Sequence, residues 1–96
     1  MRCVFSPLAE RDLEEIGDHI ARDNPRRAVT FIKDIRKRCA AIAVNPAAAS
    51  VRAELGPVIR MVPLGRYLTF YTVESEIVRI ERILHGARDL ADLFDD

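Results

Sequence analysis

The triplet Asp23-Asn24-Pro25 constrains the fold more than any other feature of this chain. It stops one helical-period segment and starts another within three residues. Asn24 is a good N-cap, and Pro25 suits the first helical position, where its missing N–H costs nothing. Upstream, Ser6-Pro7 carries the same signal, and Ala9, Leu13, Ile16 and Ile20 follow at helical spacing. Glu10, Asp12, Glu14, Glu15 and Asp18 are expected on the remaining, solvent-facing surface. Downstream, Ala28, Phe31, Ile32, Ile35, Cys39 and Ile42 form a second apolar stripe, which Asn45-Pro46 ends. Arg26, Arg27, Lys33, Arg36, Lys37 and Arg38 make this second helix basic. So short a link predicts an antiparallel αα-hairpin. The opposite charges favour it, although exposed pairs contribute only ~0–1 kcal/mol each.

After a connector at 47–57, closed by Leu55-Gly56-Pro57, the periodicity becomes strand-like. Strands are predicted over 2–6, 58–64, 67–73 and 77–85, with turns at Leu64-Gly65-Arg66 and Glu74-Ser75-Glu76. A three-residue second turn sets Phe70 opposite Ile80 and Tyr71 opposite Arg79. Leu68, Phe70, Val78 and Ile80 then face the core, and Tyr67, Thr69, Tyr71, Arg79 and Glu81 face away. A slip of one residue exchanges these faces. Leu90, Leu93 and Phe94 fit one face of a short C-terminal helix. The order β-α-α-β-β-β predicts an α+β domain, its helical hairpin on one face of a mainly antiparallel four-stranded sheet. The first strand is expected in that sheet, because alone it leaves its backbone groups unsatisfied.

Ninety-six residues, 49% of them hydrophobic, suit a single domain over 1–96. No uncharged run approaches the roughly 18 residues of a membrane span, and no signal-peptide pattern opens the chain. Fifteen basic residues balance 15 acidic ones, which argues against a non-specific nucleic-acid binder. Cys3 and Cys39 lie among apolar neighbours and read as reduced core thiols of a cytoplasmic protein. No metal spacing, glycine-rich phosphate loop or nucleophile elbow is present, so no cofactor is expected.

The polar residues of the second half admit two readings. Arg60, Arg66, Tyr67, Tyr71, Arg79, Arg82, His85 and Arg88 lie on or beside the three-strand meander. Arginine grips phosphate with two prongs, and Tyr or His stacks on a base, so such a cluster is able to hold RNA. Alternatively, the tyrosines cover the sheet and the arginines pair with Glu74, Glu76, Glu81 and Asp89. A histidine is able to serve as acid or base, but His85 has no carboxylate orienter close in sequence.

The run from Phe5 to Ile16, Phe5-Ser6-Pro7-Leu8-Ala9-Glu10-Arg11-Asp12-Leu13-Glu14-Glu15-Ile16, resembles the first strand and helix of the RelE/ParE toxin superfamily. Asn24-Pro25-Arg26-Arg27-Ala28 is similar to the start of its second helix. Arg66-Tyr67-Leu68-Thr69-Phe70-Tyr71 and Arg82-Ile83-Leu84-His85-Gly86-Ala87-Arg88-Asp89-Leu90 resemble the ParE branch. The resemblance runs almost end to end. It implies the toxin of a type II toxin–antitoxin pair, held in a hetero-oligomeric complex by a ParD-like antitoxin with a ribbon-helix-helix half and a wrapping arm. ParE-like members poison DNA gyrase, whereas RelE-like members cut messenger RNA on the ribosome. Zero net charge, a lysine-free second half and an acidic tail favour the gyrase poison, with no catalytic residue. A ribosome-dependent endoribonuclease is the alternative. Arg60, Tyr67, Tyr71, Arg79, Arg82, His85 and Arg88 are the candidates for binding antitoxin or target. The arm is expected to bring apolar anchors to the hairpin and acidic groups to Arg60, Arg79 and Arg82.

Overall fold

Both proline-capped starts form helices in the computed structural model, which describes residues 1–49, 51 and 58–86. Strand β1 (Arg2–Phe5) leads into α1 (Pro7–Ala21), and α2 (Pro25–Ile42) follows. The Ser6 side chain accepts from Ala9 N and donates to Glu81 O at 2.7 Å, so one residue caps α1 and fastens it to the sheet. Asn24 caps α2 through Arg27 N at 3.1 Å. The helices run antiparallel: the Arg36 guanidinium grips both Glu10 carboxylate oxygens, at 2.9 and 3.0 Å, and Gly17 sits against Ile32. A Cβ on Gly17 meets Ile32 Cγ1 at 3.5 Å, which is ordinary contact.

A 3-10 turn (Pro46–Ala48) follows, then β2 (Arg60–Leu64), β3 (Tyr67–Glu74) and β4 (Ile77–His85). The sheet order is β1-β4-β3-β2, antiparallel except that β1 runs parallel to β4 at one edge. The first strand thus joins the sheet as expected. The core lies between hairpin and sheet, with Leu13, Ile16, Ile35, Cys39 and Ile42 packed against Tyr67, Tyr71, Val78, Ile80 and Ile83. Ile20 and Phe31 are only half-buried. Burial pushes the Cys39 thiol up to about 12.

Two expectations are corrected. The β3–β4 turn has two residues, not three: Glu74 pairs with Ile77, and Ser75 and Glu76 both adopt positive φ, 50° and 62°. This is the left-handed pair whose twist matches that of the flanking strands. The register shifts by one, setting Tyr71 opposite Ile80, and slips again across a bulge beyond which Phe70 pairs with Arg82. Tyr67 and Tyr71 therefore join the helix-facing core, while Val78 and Ile80 keep their expected side. The second correction is Asp12, expected in solvent but 6% exposed. Its Oδ2 accepts from Arg82 Nε at 2.8 Å and from Ile83 N at 2.9 Å, and its Oδ1 accepts from Arg82 Nη2 at 3.0 Å. A carboxylate meeting three donors satisfies the bulged strand's backbone and its own charge together. The expected C-terminal helix and Arg88 lie outside the described residues.

Candidate functional site

Helix α2 presents one face to the sheet and a second, flanking face to β2 and the β2–β3 turn. Along that flank Arg27, Phe31 and Arg38 meet Leu64 and Gly65 around a hollow of about 140 Å³. Arg38 also borders a second hollow of about 350 Å³, floored by Ile42, Val62 and Tyr71. The two make a groove between helix and sheet edge, apolar at its base, with Arg27 and Arg38 flanking Asp34 at its rim. Arg27 lies 5.4 Å over the Phe31 ring, Phe31 lies 5.5 Å from Tyr67, and Tyr67 meets His85 edge-on at 5.5 Å. A continuous stack thus runs from the groove's rim to β4. Such a groove accepts a peptide segment that offers apolar side chains and carboxylates.

The far end of the groove is closed by the chain itself. Tyr71 donates its hydroxyl to Pro46 O at 2.6 Å, and the Arg60 guanidinium donates to the carbonyls of Ala47 and Ala49. Burial holds the Tyr71 phenol above its ordinary range. Arg82 is engaged by Asp12. Arg79 is exposed, with its Nε 2.6 Å from Glu81 Oε1. The structure therefore brings Tyr67 and His85 together and sets Tyr71 beside the groove. Arg60, Arg79 and Arg82 each meet different neighbours. Arg27, Phe31 and Arg38 were not singled out from the sequence as binding residues. Their spacing of four and seven puts them on one flank of a helix whose apolar stripe lies beside it. Among the described residues no group of His, Cys, Asp and Glu is arranged to hold a metal ion. No helix among them is long and apolar enough to cross a membrane.

A helical hairpin laid on a β1-β4-β3-β2 sheet is the architecture expected of the RelE/ParE superfamily of small toxins. Residues 3–90 match the family described as ParE toxin of type II toxin-antitoxin system, parDE, and the chain belongs to that family. Among solved structures it is similar to one described as the chromosomal ParDE toxin–antitoxin system from P. aeruginosa, at 22% identity and a TM-score of 0.78. That match covers 88% of this chain and 95% of the other, and at such identity the likeness is one of fold. No curated protein matches the sequence.

Proposed function

We propose that this type II toxin acts by binding rather than catalysis: it poisons DNA gyrase in the cytoplasm and is neutralised by a ParD-like antitoxin. The observation that carries the reading is the engagement of Arg60 and Arg82, two of the meander's cations. An RNA cleft needs arginines turned toward its ligand, yet Arg82 is gripped by a buried Asp12 and Arg60 by backbone carbonyls. The apolar groove beside α2 is, by contrast, a surface suited to a protein segment. The antitoxin's arm lays apolar side chains over Phe31 and Leu64 and carboxylates against Arg27 and Arg38. Arg79, Tyr67, Tyr71, His85 and Arg88 remain candidates for further antitoxin or gyrase contacts.

The test incubates purified toxin with gyrase and supercoiled plasmid, and in parallel with translating ribosomes. Gyrase-dependent double-strand breaks are expected, and they should persist in a folded His85→Ala protein, weakened at most by the loss of one contact. Messenger RNA cut at codon positions, lost about 10²–10⁴-fold in His85→Ala, overturns the reading in favour of a ribosome-dependent endoribonuclease. For the groove, Arg27→Ala with Arg38→Ala should weaken the cognate antitoxin's binding and flatten its salt dependence.

A further inference from the structure

Net neutrality conceals a partition of charge. Helix α2 carries six cations, Arg26, Arg27, Lys33, Arg36, Lys37 and Arg38, against the single acid Asp34, while α1 carries Glu10, Asp12, Glu14, Glu15 and Asp18. The six cations divide by direction. Arg36 turns to α1 and is held by Glu10. Arg27 and Arg38 rim the groove beside β2. Arg26, Lys33 and Lys37 remain, with Thr30 between them, all exposed and with no carboxylate partner among the described residues. At about 100° per residue, positions 26, 30, 33 and 37 fall within one narrow strip of the helix. The same arithmetic puts Ala28, Ile35, Cys39 and Ile42, the buried face, on the opposite side. The strip is therefore the outermost ridge of the molecule on that side. It runs about 16 Å along a rigid helix that the core already holds in place.

We propose that this ridge binds the phosphate backbone of duplex DNA. Its composition decides between partners. A protein interface is anchored by buried aromatic or aliphatic side chains, and positions 26, 30, 33 and 37 supply none. Arg and Lys are side chains that position proteins on phosphates without reading bases, and the Thr30 hydroxyl between them is donated to the Arg26 carbonyl at 3.1 Å. A preformed cationic row loses little entropy when it meets a preformed row of phosphates, and duplex DNA supplies such a row at fixed spacing, unlike a flexible single strand. The acidic surface belongs to α1, a different helix, and salt weakens whatever opposition it offers to this attraction. The inference is independent of the antitoxin and gyrase readings, and its residues are not those that line the groove beside β2.

The test is fluorescence anisotropy of a labelled 20-base-pair duplex titrated with the purified 96-residue chain alone. Three phosphate contacts give a log–log salt slope of about −2.7, so affinity should fall roughly 40-fold between 50 and 200 mM salt. Arg26→Gln with Lys33→Gln and Lys37→Gln should reduce binding at 50 mM salt at least tenfold and flatten the slope. These side chains are exposed, so the fold should survive, with circular dichroism and thermal midpoint as the check. Arg27→Gln with Arg38→Gln should weaken duplex binding clearly less than the triple variant does, since those residues line the groove. The proposal is overturned if the wild-type chain does not bind the duplex at 50 mM salt. It also fails if the triple variant binds as well as wild type, or if single-stranded RNA or polyglutamate of matched charge binds as tightly.

Discussion

Replacing Asp12 by Ala should be among the most damaging single changes on the surface of α1, although the residue stands in a run of acidic positions. Its carboxylate accepts two bonds from Arg82 and one from the Ile83 backbone N–H. The Asp12 side chain is 7% exposed and that of Arg82 38%. Loss of the carboxylate lets the half-exposed guanidinium recover water, which softens the cost. The buried Ile83 N–H has no such route, and an unsatisfied buried donor costs about 1–3 kcal/mol. Adding the lost charge-assisted bonds gives about 2–4 kcal/mol in all, against a total stability of about 5–15 kcal/mol for a small domain. Urea unfolding is the assay, and a thermal scan should show a midpoint lowered by roughly 10–25 °C. Asp12→Asn keeps an oxygen for Ile83 N and should lose about half as much. Arg82→Ala should cost at least as much as Asp12→Ala, because it strands a buried carboxylate. The double variant should then show a coupling of about 1–3 kcal/mol. Asp18→Ala, exposed on the same helix, is the control. If Asp12→Ala loses no more than that control, within about 0.5 kcal/mol, the buried fork is not holding α1 to β4.

Gly17→Ala should stabilise the protein by about 0.5–1 kcal/mol, because the new methyl finds Ile32 at contact distance and the helix gains propensity; an unfolding midpoint that falls contradicts this. Glu76→Gly should also stabilise, by a few tenths to about 1 kcal/mol, since φ of 62° burdens a side chain but not glycine; urea titration measures it. The Arg36 hydrogen bonds, the largest influence on it, hold the Glu10 carboxyl below its ordinary value of 4.5. That stabilisation is present above the unfolded value and is lost as pH falls through the folded one. The pair is exposed, so less than about 1 kcal/mol should separate wild type from Glu10→Gln at pH 7, narrowing to nothing at the acid end of a pH series of urea titrations.

Which parts of this fold were legible depended on how local their causes are. The two helix starts rest on Ser6-Pro7 and Asn24-Pro25, where cap and proline act within one turn, and both stand where the residues imply. The helix pairing follows from the shortness of the link. The β3–β4 register depends on one backbone choice at Ser75 and Glu76, neither of them the Gly or Asn that advertises a two-residue turn. A single residue there decides whether Tyr71 or Phe70 faces the helices. Asp12 escaped because acidic neighbours surround it. Yet it lies three residues after Ala9 and four before Ile16, on the buried stripe, and only the distant Arg82 makes that place tenable. The groove at Arg27, Phe31 and Arg38 escaped for a related reason: its second wall, Leu64 and Gly65, comes from β2 and the β2–β3 turn, far along the chain.

The parallel pairing of β1 with β4 has a consequence for the order of assembly. The Ser6 hydroxyl and the Glu81 carbonyl that it holds are 75 positions apart, whereas the hairpin of α1 and α2 and the meander of β2, β3 and β4 close over short stretches of chain. Short-range contacts form early and long-range ones late, because closing a long loop costs entropy before any contact returns it. On the ribosome, β1 emerges early and waits, without its neighbour, until β4 has been made. The hairpin and its α2 flank therefore take shape before the sheet is whole. The last contacts to form join the two ends of the described chain, and a nascent chain stopped before β4 has no complete core.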